Sequence, residues 1–214
     1  MNSAPRKSPL SRLAIGVAVV AVVAWAVWRA GGFGGAPPRG ELAILAEVPP
    51  FELVNQSGDA FGSKQLAGSV WIANFIFTRC PTVCPELSRR MADLRDRLRD
   101  NPGVHLVSFS VDPEYDSPEV LAKYAAEYAA DANRWSFLTG SWESMREAVE
   151  TGLLTSTGTD GGEIDVNSVL HGTRFVLVDS RLRIRDYCDV SEPDAFEGLI
   201  ADARQLSAIL PPTR

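Results

Sequence analysis

Apolar residues fall along this chain in three patterns, and each predicts a different element. Leu13 to Trp28 is an uninterrupted apolar run preceded by Arg6, Lys7 and Arg12. Val70 to Phe77 (VWIANFIF) and Val104 to Val111 (VHLVSFSV) are shorter and nearly continuous, the pattern of strands covered on both faces. Glu86 to Arg99 spaces Leu87, Met91, Leu94 and Leu98 by four, three and four, which predicts an amphipathic helix.

Between these landmarks the signals are local. Phe51 to Val54 reads as a short strand, Asn55 to Asp59 as a turn, and Ser63 to Leu66 as a single helical turn. The stretch Asp112 to Pro118 leads into a helix with proline in its first turn, running to about Ala130. Trp135 to Leu138 is a short strand, and Ser141 caps a helix from Trp142 to about Thr151. Thr155 to Ser168 is polar and glycine-rich, the composition of a mobile loop. Thr173 to Val178 and Leu182 to Tyr187 form a hairpin, and a last helix starts near Pro193 and ends near Leu210. A βαβ unit followed by a ββα unit predicts an α/β, thioredoxin-like fold over 49–210, a central mixed sheet flanked by helices.

The first run changes the picture of where that domain works. As a helix, Leu13 to Trp28 spans roughly 24 Å at about 1.5 Å per residue. Residues 30–36 (AGGFGGA) extend it toward the ~30 Å hydrocarbon core. We read 13–30 as a transmembrane anchor, 1–12 as a cytoplasmic N-terminus and 31–48 as a linker. Ala24-Trp25-Ala26 resembles a signal-peptidase site, but the apolar run continues past it, which favours an uncleaved anchor. The basic flank holds the N-terminus in the cytoplasm. The expected arrangement is a single pass through a bacterial-type inner membrane, with the soluble domain on the periplasmic side.

Charge adds an exclusion. The chain carries 21 basic and 27 acidic side chains. Five of the basic ones and none of the acids lie in residues 1–40, so the body is acidic and lacks the basic footprint of a nucleic-acid binder. Cysteine is sparse, only Cys80, Cys84 and Cys188. That is too few for a disulfide scaffold.

The candidate chemistry sits where the first central strand meets the first long helix. Cys80-Pro81-Thr82-Val83-Cys84-Pro85 places two thiols with three residues between them at a helix N-terminus, whose unpaired N–H groups favour thiolate over thiol. Two readings stay open. Cys80 and Cys84 are a redox pair able to close a disulfide, or they are soft metal ligands for Cu(I) or zinc. The metal reading needs a third donor. His105 lies within an apolar strand and reads as a core side chain; His171 follows the predicted loop and can reach back to the cysteines. A set of two cysteines and one histidine with no fourth ligand suits low-coordinate copper better than closed tetrahedral zinc. Asp112 reads equally as a turn residue before Pro113 and as an electrostatic neighbour of the site. Cys188, in alternation with Leu182 and Ile184, reads as a small buried residue, and Arg181, Arg183 and Arg185 as charges on an exposed hairpin. The glycine-rich loop matches neither a phosphate-binding loop nor a calcium loop.

Three stretches in this order, FIFTRCPTVCPEL, SFSVDPEYDSPEVLAKYA and LHGTRFVLVDS, resemble the Sco/SenC family of membrane-anchored copper chaperones from about Pro49 to Leu210. The resemblance implies copper, as Cu(I) and also Cu(II), bound by Cys80, Cys84 and His171. It implies delivery to the copper-accepting subunit of cytochrome c oxidase, at its dinuclear centre, and reduction of that centre's cysteines before loading. Such a role also calls for a thiol–disulfide reductant as partner. The alternative is a membrane-tethered thiol–disulfide oxidoreductase that uses Cys80 and Cys84 without obligatory metal. Cys188 has no counterpart in the family pattern.

Overall fold

The run Val70–Ile76 is a strand, β4, buried at every position. Its alternate residues serve two separate apolar layers. Val70, Ile72 and Ile76 pack on one side, and Trp71, Ala73 and Phe75 on the other. A strand covered on both faces is what a continuous apolar run requires, since no position can be left to water. The computed structural model describes residues 40–153 and 173–210.

In chain order the elements are β1 (Ala46–Glu47), β2 (Glu52–Asn55), β3 (Ala60–Gly62), α1 (Ser63–Leu66), β4, α2 (Val83–Arg97), β5 (Val104–Ser110), α3 (Pro118–Glu127), β6 (Trp135–Thr139), α4 (Trp142–Arg146), a π-helical segment (Glu147–Leu153), β7 (Arg174–Val178), β8 (Arg183–Asp189) and α5 (Pro193–Ala208). They build one mixed sheet in the order β1-β8-β7-β4-β5-β6-β2-β3. β4, β5 and β6 run parallel, and every other pairing is antiparallel. The predicted βαβ unit is β4-α2-β5, and the ββα unit is β7-β8-α5.

Leu87, Met91 and Leu94 of α2, Leu121 and Tyr124 of α3, and Phe196, Leu199 and Ala203 of α5 cover one face. Met145 of α4 and Val149 and Leu153 of the π-helical segment cover the other. The cysteines belong to the first layer: Cys80, Cys84 and Cys188 all pack there.

Several expectations shift. The helix expected from Glu86 begins at Val83, which draws Cys84 and Pro85 into its first turn. Proline is tolerated there because its missing N–H would have had no intrahelical partner. The helix expected from Trp142 to Thr151 is α-helical only to Arg146 and π-helical beyond it. Strands β1 and β3, two and three residues long, carry too little pattern to be read in advance. The linker expected over 31–48 ends sooner than its composition suggests. Ala46 pairs with Ile184, and Leu45 N–H donates to Ile184 O at 2.9 Å.

The hairpin holds two further corrections. A bulge between Leu177 and Val178 shifts the register opposite Ile184 to Asp186. Ile184 therefore joins the layer of Trp71, whereas Cys188 joins the layer of Cys84. Cys188 is buried as expected, but not on the face of Ile184. Arg185 is not an exposed guard of the hairpin. It is buried, donating to Asp179 Oδ2 at 2.7 Å, to Ala43 O at 3.0 Å and to Leu42 O. Arg181 stays exposed.

The expected anchor over 13–30, the loop at 155–168 and His171 lie outside the described residues. Among the described residues no helix is long and apolar enough to cross a membrane.

Candidate metal centre

β4 and β5 are parallel and in register to their last residues, Ile76 opposite Ser110. Their C-terminal ends therefore release two loops side by side, 77–82 before α2 and 111–117 before α3. Outside such strand ends is where open α/β sheets place their chemistry. Cys80 rides on the first loop. The second carries Asp112, Tyr115 and Asp116.

The cysteine loop is a tight turn, with Cys80 N–H donating to Phe77 O at 3.1 Å. Thr82 stands at the N-cap of α2, yet its side chain makes no capping bond. The Cys80 sulfur takes that place and accepts the Cys84 N–H at 3.5 Å. It also lies 3.8 Å from Thr82 Oγ1. A sulfur that caps a helix meets both an N–H donor and the positive end of the helix dipole.

The two thiols consequently differ. Burial pushes the Cys80 thiol up, but the N–H groups and side chains of Cys84 and Thr82 outweigh it and hold it down at about 7. Burial pushes Cys84 up to about 12, against a backbone contact from Phe77 and reinforced by the neighbouring Cys80 sulfur. Near neutral pH one sulfur is available in part as thiolate while its partner keeps its proton. All three cysteines are free thiols.

Asp112 stands beside this loop without touching either sulfur. Its Oδ2 accepts from Arg79 Nε at 3.2 Å and Nη2 at 2.5 Å. The same guanidinium lies 4.3 Å over the Tyr115 ring. His105 is the core side chain expected of it. It is half-buried, stacked on Phe61 at 5.9 Å, with Nε2 3.0 Å from Ser136 Oγ.

One residue of this neighbourhood escaped sequence reasoning. Asp116 is fully buried, and its carboxylate binds Thr78 of the cysteine loop and Ser110 of β5. An aspartate directly before Ser117, the N-cap of a helix starting at Pro118, looks like any acid at a helix start. No pattern along the chain marks it out.

Among the described residues no group of three or more histidines, cysteines and acids is placed to hold a metal ion. What the site offers there is two sulfur donors, a soft set that fits Cu(I) better than magnesium or calcium.

The SCO1/SenC family model matches residues 42–206. The chain belongs to that family. The SCO1 protein homolog of Bacillus subtilis is 37% identical to this Sco protein over 166 residues, 76% of this chain and 84% of its own. The structure of BsSco, a member of the Sco family of cytochrome c oxidase assembly proteins in which a disulfide switch was identified, matches at 31% identity with a TM-score of 0.64, covering 80% of this chain and 99% of that one. ScoI of Arabidopsis thaliana with copper bound matches at 24% identity and a TM-score of 0.59, covering 75% and 99%, a likeness of fold alone. The fold of this Sco protein is thus the α/β, thioredoxin-like one its element order predicts.

Proposed function

We propose that this Sco protein is a membrane-anchored copper chaperone. It holds copper through Cys80, Cys84 and His171 and passes it to the copper-accepting subunit of cytochrome c oxidase, at the dinuclear centre. The observation that carries this reading is the helix-capping sulfur of Cys80, a free thiol held down at about 7 one helical turn from a second free thiol. Family membership supports the metal and the acceptor, since a Sco relative has been crystallised with copper and another is named for cytochrome c oxidase assembly.

Cys80 supplies the first soft donor and Cys84 the second. Because Cys84 holds its proton when free, uptake of the metal releases that proton, so binding strengthens as pH rises. His171 completes the set from the segment before β7. Chemically, release begins with whichever ligand is most easily withdrawn. Tethering through 13–30 on the periplasmic side would keep the carrier at the membrane where its acceptor is embedded.

Titration of the reduced full chain with Cu(I) against a chelator tests the assignment. The parent binds one copper, and Cys80→Ser and His171→Ala each weaken it about tenfold or more. If both variants bind as tightly as the parent, the ligand set is wrong.

The inequality of the two thiols favours a second activity. A thiolate near neutral pH beside a shielded protonated thiol is the arrangement of an attacking and a resolving cysteine. Cys80 would attack a partner disulfide and form the mixed disulfide, releasing one partner thiolate. Cys84 would lose its proton and displace the second, leaving Cys80–Cys84 oxidised and the partner reduced. A His171→Ala variant that loses copper and keeps disulfide reduction would assign both functions to one pair.

A further inference from the structure

Thr78 of the cysteine loop is tied to the end of β5 through one buried carboxylate. Thr78 N–H reaches both oxygens of Asp116, at 3.4 and 3.1 Å, and Thr78 Oγ1 donates to Oδ1 at 2.5 Å. Ser110 Oγ donates to Oδ2 at 2.6 Å. Asp116 is 0% exposed, and among the described residues every hydrogen bond it accepts comes from a neutral group. A carboxylate buried without a cation is costly unless its oxygens are well supplied with donors. The fold must therefore hold these donors in place to keep the acid where it is.

The bonds continue into a closed circuit. Ser110 Oγ accepts from Asp112 N–H at 3.1 Å, and Asp112 in turn holds Arg79. Residues 78 and 79 are thus both fastened to the 110–116 segment, and Cys80 is the next residue. The strand has ended at Ile76, so nothing else in the ladder fixes the turn that carries the Cys80 sulfur to the Cys84 N–H.

We propose that Asp116 is a positioning residue of the thiol site: by fastening Thr78 to β5 it sets the turn that holds the Cys80 sulfur on the first turn of α2, ready for the second sulfur. Its effect on copper rests on the function proposed above, whereas its effect on the loop does not. The side chain bonds to no ligand atom and holds the loop through Thr78 and Ser110, while its charge adds a smaller upward push on the Cys84 thiol.

The test uses the reduced, metal-free full chain in detergent, with amide exchange read by NMR at Cys84 N–H, the group bonded to the Cys80 sulfur. Asp116→Ala speeds that exchange about tenfold while the amides of β4 keep the parent rate. Asp116→Asn stays near the parent, because an amide oxygen in the place of Oδ2 still accepts Thr78 N–H and the Ser110 hydroxyl, while the NH2 in the place of Oδ1 donates to Thr78 Oγ1, whose hydroxyl reverses. If Asp116→Ala does not fold, Thr78→Val removes one bond and speeds the same amide by about threefold. In a Cu(I) competition at a temperature where every variant is folded, Asp116→Ala binds about tenfold more weakly and Asp116→Asn nearly as the parent. A folded Asp116→Ala or Thr78→Val with parental exchange at Cys84 overturns the proposal. A parent that takes up no copper, with exchange still accelerated in Asp116→Ala, upholds the positioning role and overturns the copper reading.

Discussion

Two of the buried carboxylates, Asp179 and Asp116, lie at opposite ends of the sheet, and the protein meets them in opposite ways. Asp179 lies beyond Val178, which pairs with Trp71 at the start of β4. It is surrounded by cations. Arg183 donates to it at 2.7 and 2.9 Å and Arg185 at 2.7 Å, with the N–H groups of Arg181 and Arg183 at 2.9 and 3.1 Å. Burial pushes Asp179 up, but these donors outweigh it and hold it below the ordinary carboxylate range. Asp116, at the far end beside the cysteines, is met among the described residues only by hydroxyls and one backbone N–H. Charge pairing latches the hairpin end; neutral hydrogen bonds position the cysteine loop without burying a cation against the carboxylate. The loop's own cation, Arg79, turns its side chain out to solvent, onto Asp112.

That contrast can be broken most severely at the latch. Asp179→Ala leaves Arg185 buried with two backbone carbonyls and no counter-charge, and should cost about 3–5 kcal/mol in denaturant unfolding. The first strand should loosen with it, since Arg185 also holds Leu42 and Ala43. A cost under about 1 kcal/mol would mean that the pair is no stronger than a surface bridge.

Acid should act on the same end. Burial, with Arg134 nearby, holds His105 down at about 4 in the folded protein against an ordinary 6.5. The folded pKa is depressed, so the unfolded chain takes up the proton first. The stability is fully present above about pH 6.5 and drains away as pH falls toward 4, by on the order of 2–3 kcal/mol. Unfolding at stepped pH should show this slope in the parent and lose it in His105→Gln. Persistence of the slope would place its origin elsewhere.

At the thiol end a smaller loss is expected. Ser110→Ala removes one donor from Asp116 and the acceptor of Asp112 N–H, at about 2 kcal/mol. Thermal unfolding measures it, and Asp116→Asn should be the milder change. Least of all, Arg79→Ala removes an exposed ion pair and should leave Tm unchanged, because solvent screens such pairs. A clear fall in Tm would show that the clamp of Asp112 and Tyr115 on Arg79 carries stability as well as position.

Legibility from sequence followed the range of the interaction. The strand Val70–Ile76 and helix α2 could be read because each repeats one short period over many residues. His105 could be assigned to the core because its neighbours along the strand are apolar. Arg185 could not, because one inserted residue in a bulge turns it inward against an expectation of alternation. Asp116 could not, because its partner Thr78 comes from the end of another strand and Ser110 from the end of its own, which leaves no periodic trace.

By itself the sequence determined the α/β order of elements, both apolar layers of β4, and a thiol pair at a helix start with Cys80 and Cys84 as its members. These follow from local periodicity and from the fixed geometry of a strand entering a helix. Only the tertiary structure decided that the two thiols are unequal, that the Cys80 sulfur caps α2, and that the buried Asp116, beside the exposed tie of Asp112 to Arg79, fastens the loop. The first two turn on burial and on the shape of the turn between Cys80 and Cys84, whereas the last depends on which strand ends lie side by side: parallel register brings Ile76 to Ser110 across a gap in the chain that no local pattern spans.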